Sequence, residues 1–219
     1  MSTNDIQAVA FDVDGTLIEF KVWPALHKLF NFPMEEDRRL HALYHDGRLS
    51  YRDWMEGVYG GYVARGMART KKEIDPIVLD FDFVPDARKV MDALREKYPL
   101  AVISSSLADY VVPVGEALGI PHAYAFTALS YDPEGAYQGI KYLYEGNEID
   151  MKITALKDFG AKVGAEPHEI AFVGDSINDV GAFRHTGRGI LIEGSRHNDS
   201  LREAAWKRIN TLSEVLDIL

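Results

Sequence analysis

The chain of 219 residues is long enough for one or two compact domains. Its content of 47% hydrophobic and 26% charged residues is that of an ordinary globular protein, which excludes a disordered or fibrous chain. A net charge of −10 lacks the basic footprint of sequence-independent nucleic-acid binding, and the absence of cysteine excludes disulfides, thiolate metal sites and a cysteine nucleophile. No apolar run approaches the ~20 residues of a membrane helix, and the polar start, residues 1–7, lacks the layout of a signal peptide. These features predict a cytoplasmic protein with neither nucleic acid nor membrane as its partner.

In chain order, Ala8, Val9, Ala10 and Phe11 form a short apolar run closed by Asp12, the pattern of a buried strand in a parallel sheet. Residues 18–83 hold no convincing buried strand but four helical stretches, at 23–31, 34–45, 50–64 and 71–79. Nine of the chain's 24 aromatic residues fall within 20–62, enough for this insert to bury a small core of its own. Pro85 followed by Ala87, Val90, Met91 and Leu94 predicts a helix with proline in its first turn. The next apolar run, 100–103, ends in three serines. A helix is expected from Ser106 to Leu118, with Ser106 and Asp109 as a weak capping pair and a kink at Pro113. A weaker strand at 122–126 leads into a hairpin over 131–144, turned by Asp132, Pro133, Glu134 and Gly135. Asp150 is the expected cap of a helix carrying Ile153, Leu156, Phe159 and Val163 and stopped by Gly164. Apolar runs at 170–173 and 190–192 are two further strands. The alternation predicts an α/β fold, a parallel sheet flanked by helices, built from 1–17 and 84–219 and interrupted by a helical subdomain at 18–83.

Four local patterns carry chemistry. Asp12 and Asp14, two apart at the end of a strand and followed by the turn residue Gly15, sit where open α/β sheets place ligands. The bland alternative is a strand closed by turn residues. A calcium loop is excluded because its twelfth position, counted from Asp12, is Trp23 rather than glutamate. Asp175, Ser176, Asn178 and Asp179 likewise follow a strand and open a helix, where capping is the competing reading. If the two strands are neighbours, the converging carboxylates repel one another unless a cation sits among them, and oxygen donors favour Mg²⁺. Ser104 ends its strand with a hydroxyl and helix-start amides suited to a phosphate oxygen, or to a plain N-cap. Lys152, near a helix start, reads alone as a surface lysine and gains weight only from the other three.

Together, Asp12-Val13-Asp14-Gly15-Thr16, Ser104, Lys152 and Gly174-Asp175-Ser176-Ile177-Asn178-Asp179 resemble, in order and strand context, the four motifs of the haloacid dehalogenase superfamily. The helical insert more loosely resembles the cap of its phosphoserine phosphatase-like branch. The resemblance implies a Rossmann-like core and a Mg²⁺-dependent phosphatase for a small phosphorylated substrate. It implies Asp12 as the nucleophile that becomes an aspartyl-phosphate, and Asp14 as the acid that protonates the leaving alcohol and then the base that activates water. Mg²⁺ would lie between Asp12, the main-chain carbonyl of Asp14 and Asp175. Ser104 and Lys152 would bind the phosphoryl oxygens, with Asn178 and Asp179 orienting Lys152 and the metal's surroundings.

Two positions depart from the phosphoserine pattern. Lys21 stands where that branch needs an anion for the substrate ammonium, and Val58 where it needs an arginine for the carboxylate, so phosphoserine is expected to be a poor substrate. The pair His41 and His45, one helical turn apart, reads as a solvated face rather than a metal site. Phe20, Trp23, Tyr51 and Trp54 read as packing aromatics that could also line a pocket. The rivals are a dehalogenase, for which Asp14 and Asp175 would be superfluous; a phosphotransferase or mutase; and a phospho-accepting signalling domain, for which neither Asp14 nor the insert is needed.

Overall fold

A computed structural model describes residues 5–19, 21–65, 69–194 and 199–219, so the expectation for Phe20 lies outside the described residues, as does that for the side chain of His45. The sheet has seven strands: β1 (Ala8–Phe11), β2 (Leu100–Leu107), β3 (His122–Tyr131), β4 (Tyr137–Tyr142), β5 (Ile170–Gly174), β6 (Gly189–Ile192) and β7 (Lys207–Ile209). Their order across the sheet is β4-β3-β2-β1-β5-β6-β7, and every pairing is parallel except β3 with β4. The two-sided burial of β1 and β5, with every residue inside, is why both read as unbroken apolar runs.

Between β1 and α5 (Ala87–Arg95) come four helices, α1 (Val22–Leu29), α2 (Met34–His45), α3 (Tyr51–Ala64) and α4 (Lys71–Val78). The chain enters and leaves them through a two-stranded neck: Ile18 bridges Phe83, the Glu19 amide donates to the Asp82 carbonyl, and the Val84 amide to that of Leu17. Phe30 stacks on Tyr62 with centroids 4.4 Å apart, Phe32 meets Tyr62 edge-on, and this aromatic group joins the sheet's core in one continuous apolar cluster. The same insert reaches the sheet's edge. Tyr137 at the start of β4 donates its amide to the Arg69 carbonyl, and the Lys71 amide donates to the Gly135 carbonyl. Among the described residues no helix is long and apolar enough to cross a membrane.

Several local expectations are corrected. β2 continues to Leu107, so α6 (Ala108–Ala117) begins two residues later than expected and has no side-chain cap. Ser106 and Asp109 are spent elsewhere: the Ser106 hydroxyl donates to Asp14, and Asp109 accepts the Leu129 amide at 2.8 Å. Pro113 lies inside α6 without ending it. Pro85 precedes α5 rather than starting it, because Asp86 intervenes in a left-handed conformation at φ 63°. β3 runs twice as far as its apolar part suggested, since it pairs with β2 on one side and β4 on the other. β7 and a six-residue helix, Asp199–Ala204, carry no clear pattern in the sequence; both are short, and the burial of β7 is confined to Ile209.

The helix bearing Lys152, α7 (Glu148–Val163), starts earlier than expected. Its cap is Asn147, whose side chain accepts from the amides of Ile149 at 2.9 Å and Asp150 at 3.0 Å, and Gly164 ends it at φ 73° as the sequence indicates. Asn147→Ala is expected to cost about 1 kcal/mol of stability. The check is a lower urea midpoint at unchanged m-value; an unmoved midpoint would show that packing alone holds the first turn of α7.

Candidate active site

The pairing of β1 brings the candidates together. Phe11 lies in register with Val102 of β2 and with Val173 of β5, so the carboxyl ends of the three strands are adjacent. The chain passes from β1 to one side of the sheet and later returns to the other, and the crevice at such a reversal is the usual ligand site of an open α/β sheet. Asp12, Asp14, Ser104, Asp175 and Asn178 line one cavity there, of about 470 Å³.

Lys152 lies behind this floor, fully buried. Its ammonium is 3.0 Å from Asp12 Oδ1, 2.5 Å from Asp179 Oδ1 and 3.0 Å from Asn178 Oδ1. Burial favours loss of its proton, but Asp12 and Asp179 more than reverse this and hold the group above the ordinary lysine range. Asp179 uses its second oxygen to accept the amides of Asp175 at 3.1 Å and Ser176 at 3.0 Å, which fixes the turn after β5. Asn178 in turn donates to Ser105 Oγ at 3.2 Å and to Glu148 at 3.3 Å.

Asp14 is held differently. Its Oδ2 accepts from the hydroxyls of Ser106 and Tyr110, both at 2.6 Å, while Oδ1 is buried with no hydrogen-bond partner among the described residues. Burial raises its carboxyl above the usual range, against the pull of those two bonds. A carboxyl so placed favours the protonated form a general acid needs.

Asp12, Asp175 and Asp179 each offer an oxygen within 4.8 Å of the others. Burial pushes the Asp12 carboxyl well up; Lys152 opposes this, and the charges of Asp179, Asp175 and Asp14 add to it. One ammonium does not balance so many carboxylates, and an all-oxygen donor set fits a hard divalent cation. Asp179 enlarges the expected set, although its oxygens already hold Lys152 and two amides.

The cavity's upper wall comes from α1–α3. Trp23, Tyr51 and Trp54 all line it, and Trp23 donates to Ser106 Oγ at 3.5 Å. Val58 lines it too, as the sequence comparison with the phosphoserine branch implied. Lys21 is corrected: its ammonium is bound to Asp82 at 2.7 Å and Asp80 at 3.2 Å beside the neck, away from the lining. The charge repulsion expected between Lys21 and a substrate ammonium therefore has no basis. His41 is more than a solvated residue, for it borders the cavity and stands edge-on to Trp54 with centroids 4.8 Å apart.

Sequence reasoning missed Ser106, Tyr110, Arg38 and Glu148. A serine and tyrosine directed at Asp14 follow from β2 running on to Leu107, which the polar serine run disguised. Glu148 looks in the sequence like any acidic residue of a first helical turn, yet it is 7% exposed and accepts from the Tyr44 hydroxyl of α2 at 3.1 Å.

The haloacid dehalogenase-like hydrolase model matches residues 6–187, and the chain belongs to that family. It is 25% identical over 235 aligned residues to a phosphoglycolate phosphatase of Chromobacterium violaceum, covering 100% of this chain and 99% of the relative. A phosphoglycolate phosphatase of Haemophilus influenzae strain Rd is 26% identical over 228 residues, with 90% of each chain covered. Two solved structures share the fold: a substrate-bound phosphoserine phosphatase complex (TM-score 0.78, 19% identity, 98% of each chain) and a phospho-aspartyl intermediate analogue of phosphoserine phosphatase (TM-score 0.77, 21% identity, 98% of this chain and 99% of that one).

If the carboxylate cluster takes a divalent cation, Mg²⁺ will raise the melting temperature, by an amount equivalent to about 2.7 kcal/mol at a hundredfold excess over Kd. Asp175→Asn is expected to lose most of that shift in a thermal scan. An equal shift in the variant would put the cation elsewhere.

Proposed function

We propose that the protein is a divalent-metal-dependent phosphatase that hydrolyses a small phosphomonoester through an aspartyl-phosphate on Asp12. The observation that carries this reading is the pair Asp12 and Asp14 on one cavity wall, the first joined to the buried Lys152 ammonium and the second to Ser106 and Tyr110. The relatives named as phosphatases support water, rather than an organic alcohol, as the final acceptor. The cavity above Asp12 supports an enzyme enclosing a substrate over a phospho-accepting signalling domain. In this reading residues 18–83 form a cap on a core of 1–17 and 84–219.

Asp12 attacks phosphorus through a carboxylate oxygen, and the ester P–O bond breaks as Asp14 gives its proton to the departing alkoxide oxygen. Water, losing a proton to the Asp14 carboxylate, then attacks the same phosphorus and breaks the bond to Asp12, releasing inorganic phosphate and returning both aspartates to their starting forms. Ser104 donates to a phosphoryl oxygen, and Lys152 sets positive charge beside Asp12 where negative charge gathers. Asp12, Asp175 and the Asp14 main-chain carbonyl would hold the cation, Mg²⁺ by its preference for oxygen, which supplies charge against the repulsion between carboxylate and phosphate.

Asp12→Asn is expected to abolish phosphatase activity, and excess chelator to silence the unaltered protein. More than a trace of turnover in the variant, measured as phosphate release, would remove Asp12 as nucleophile. Asp14→Asn keeps the nucleophile but loses the acid, so hydrolysis of p-nitrophenyl phosphate, whose leaving group needs no proton, should fall less than that of an alkyl phosphate. Equal losses on the two substrates would leave Asp14 a positional role only.

A further inference from the structure

The cavity lining other than Asp12, Asp14, Asp175 and the serines has an uneven chemistry. Trp23, Tyr51 and Trp54 supply aromatic wall, Met55 and Val58 aliphatic wall, and Asp37 and Glu148 two carboxylates. Against these stands Arg38 on the exposed rim, its Nε donating to the Met34 carbonyl at 3.1 Å. With Asp12, Asp14 and Asp175 on the floor, five lining carboxylates face a single lining cation of the arginine or lysine kind.

The aromatic wall is held in place before any ligand arrives. The Trp54 indole N–H donates to Asp37 Oδ1 at 3.3 Å; its ring stacks on Tyr44 at 5.2 Å and 20° and meets Tyr51 edge-on at 5.6 Å. His27 Nε2 lies 3.3 Å from the other oxygen of Asp37, Oδ2. Tyr51 is anchored to the core, donating its hydroxyl to the Ser105 carbonyl at 3.1 Å. Rings that lose no rotational freedom on binding present their π faces at little entropic cost. Glu148 is joined to this wall through Tyr44, whose hydroxyl donates to it at 3.1 Å.

Such a lining discriminates among alcohols. Apart from Arg38 on the rim, this part of the lining offers a second anionic group no lysine or arginine, only the carboxylates of Asp37 and Glu148. A primary ammonium needs three hydrogen-bond acceptors, and the two carboxylates of this wall already accept from the protein, Asp37 from Trp54 and Glu148 from Tyr44 and Asn178. An ammonium whose protons are replaced by methyl groups needs none. It is bulky and weakly hydrated, and it is attracted both to π faces and to carboxylates at a distance. We propose that this part of the lining selects phosphomonoesters whose alcohol carries an alkylated, permanently charged ammonium group, with Trp54 and Glu148 as the residues that select it. This rests on the phosphatase reading above.

The test compares phosphocholine with 3,3-dimethylbutyl phosphate, which has the same shape with carbon in place of the charged nitrogen. Phosphocholine should have the higher kcat/KM, by on the order of tenfold or more, expressed mainly in KM. Trp54→Leu and Glu148→Gln should each bring that ratio several-fold closer to one, a readout insensitive to losses that the two esters share. A ratio at or below one in the unaltered protein, or a ratio unmoved in both variants, would overturn the inference and leave the phosphatase reading intact. The same follows if phosphoserine or phosphoglycolate is turned over better than phosphocholine. Failure to hydrolyse any ester, p-nitrophenyl phosphate included, would overturn the phosphatase reading itself.

Discussion

A fully buried ammonium between two carboxylates is the constraint around which the site is arranged. Removing Lys152, Asp12 and Asp179 from water costs several kcal/mol for each ion, and only close pairing with further hydrogen bonds offsets it. Those bonds come from named places: Asp179 accepts two amides after β5, and Asn178 joins Lys152 to Ser105 and Glu148. The cluster therefore ties α7 to the ends of β1, β2 and β5, and none of the three strands can shift without breaking an ion pair or a bond to one. Backbone room is part of the same arrangement. A Cβ on Gly174 would meet Asp179 Oδ2 at 2.4 Å, and one on Gly15, at φ 83°, would meet Asp175 Oδ2 at 2.6 Å. Glycine at these two positions is what lets the carboxylates approach.

The helices between β1 and α5 meet this floor through the polar tips of aromatic residues. Trp23 reaches Ser106, Tyr51 reaches the Ser105 carbonyl and Tyr44 reaches Glu148. Each ring has an apolar body that packs and one polar atom that finds a partner, the property that suits Tyr and Trp to the boundary between a wet cavity and a dry core. Ser104, Ser105 and Ser106, consecutive in β2, all line the cavity, and the last two divide their contacts: Ser106 binds Asp14, and Ser105 binds Asn178 and Tyr51.

Much of this was legible in the amino-acid sequence because it depends on short-range patterns. Apolar runs ending in aspartate or serine marked β1, β2 and β5, and the spacing of Asp12, Asp14, Asp175 and Asp179 marked the turns after two of them. Four helices of the insert emerged from periodicity with bounds close to those observed. What stayed hidden depends on partners distant in the chain. Lys21 finds Asp80 and Asp82 about sixty residues away, so its charge is directed along the neck and not over the substrate. Ser106 looked like a helix cap because its hydroxyl's true partner, Asp14, is 92 residues earlier. Capping rules assign a serine to the nearest amide, and only the sheet register shows that a carboxylate is closer in space.

The pairing of Arg69 and Lys71 with the start of β4 has a bearing on how such a chain can change. β4 is the outermost strand of the sheet, and an unpaired strand edge is a template for adding foreign strands. Here the segment leading into α4 takes up the first of those edge groups, and Arg52 of α3 lies over the Tyr142 ring at the other end. The helices that shape the cavity are thus also the sheet's guard. Evolution cannot trade them for a different roof without either blunting β4 by charge or proline or accepting a sticky border, so diversification of the roof is coupled to solubility of the floor.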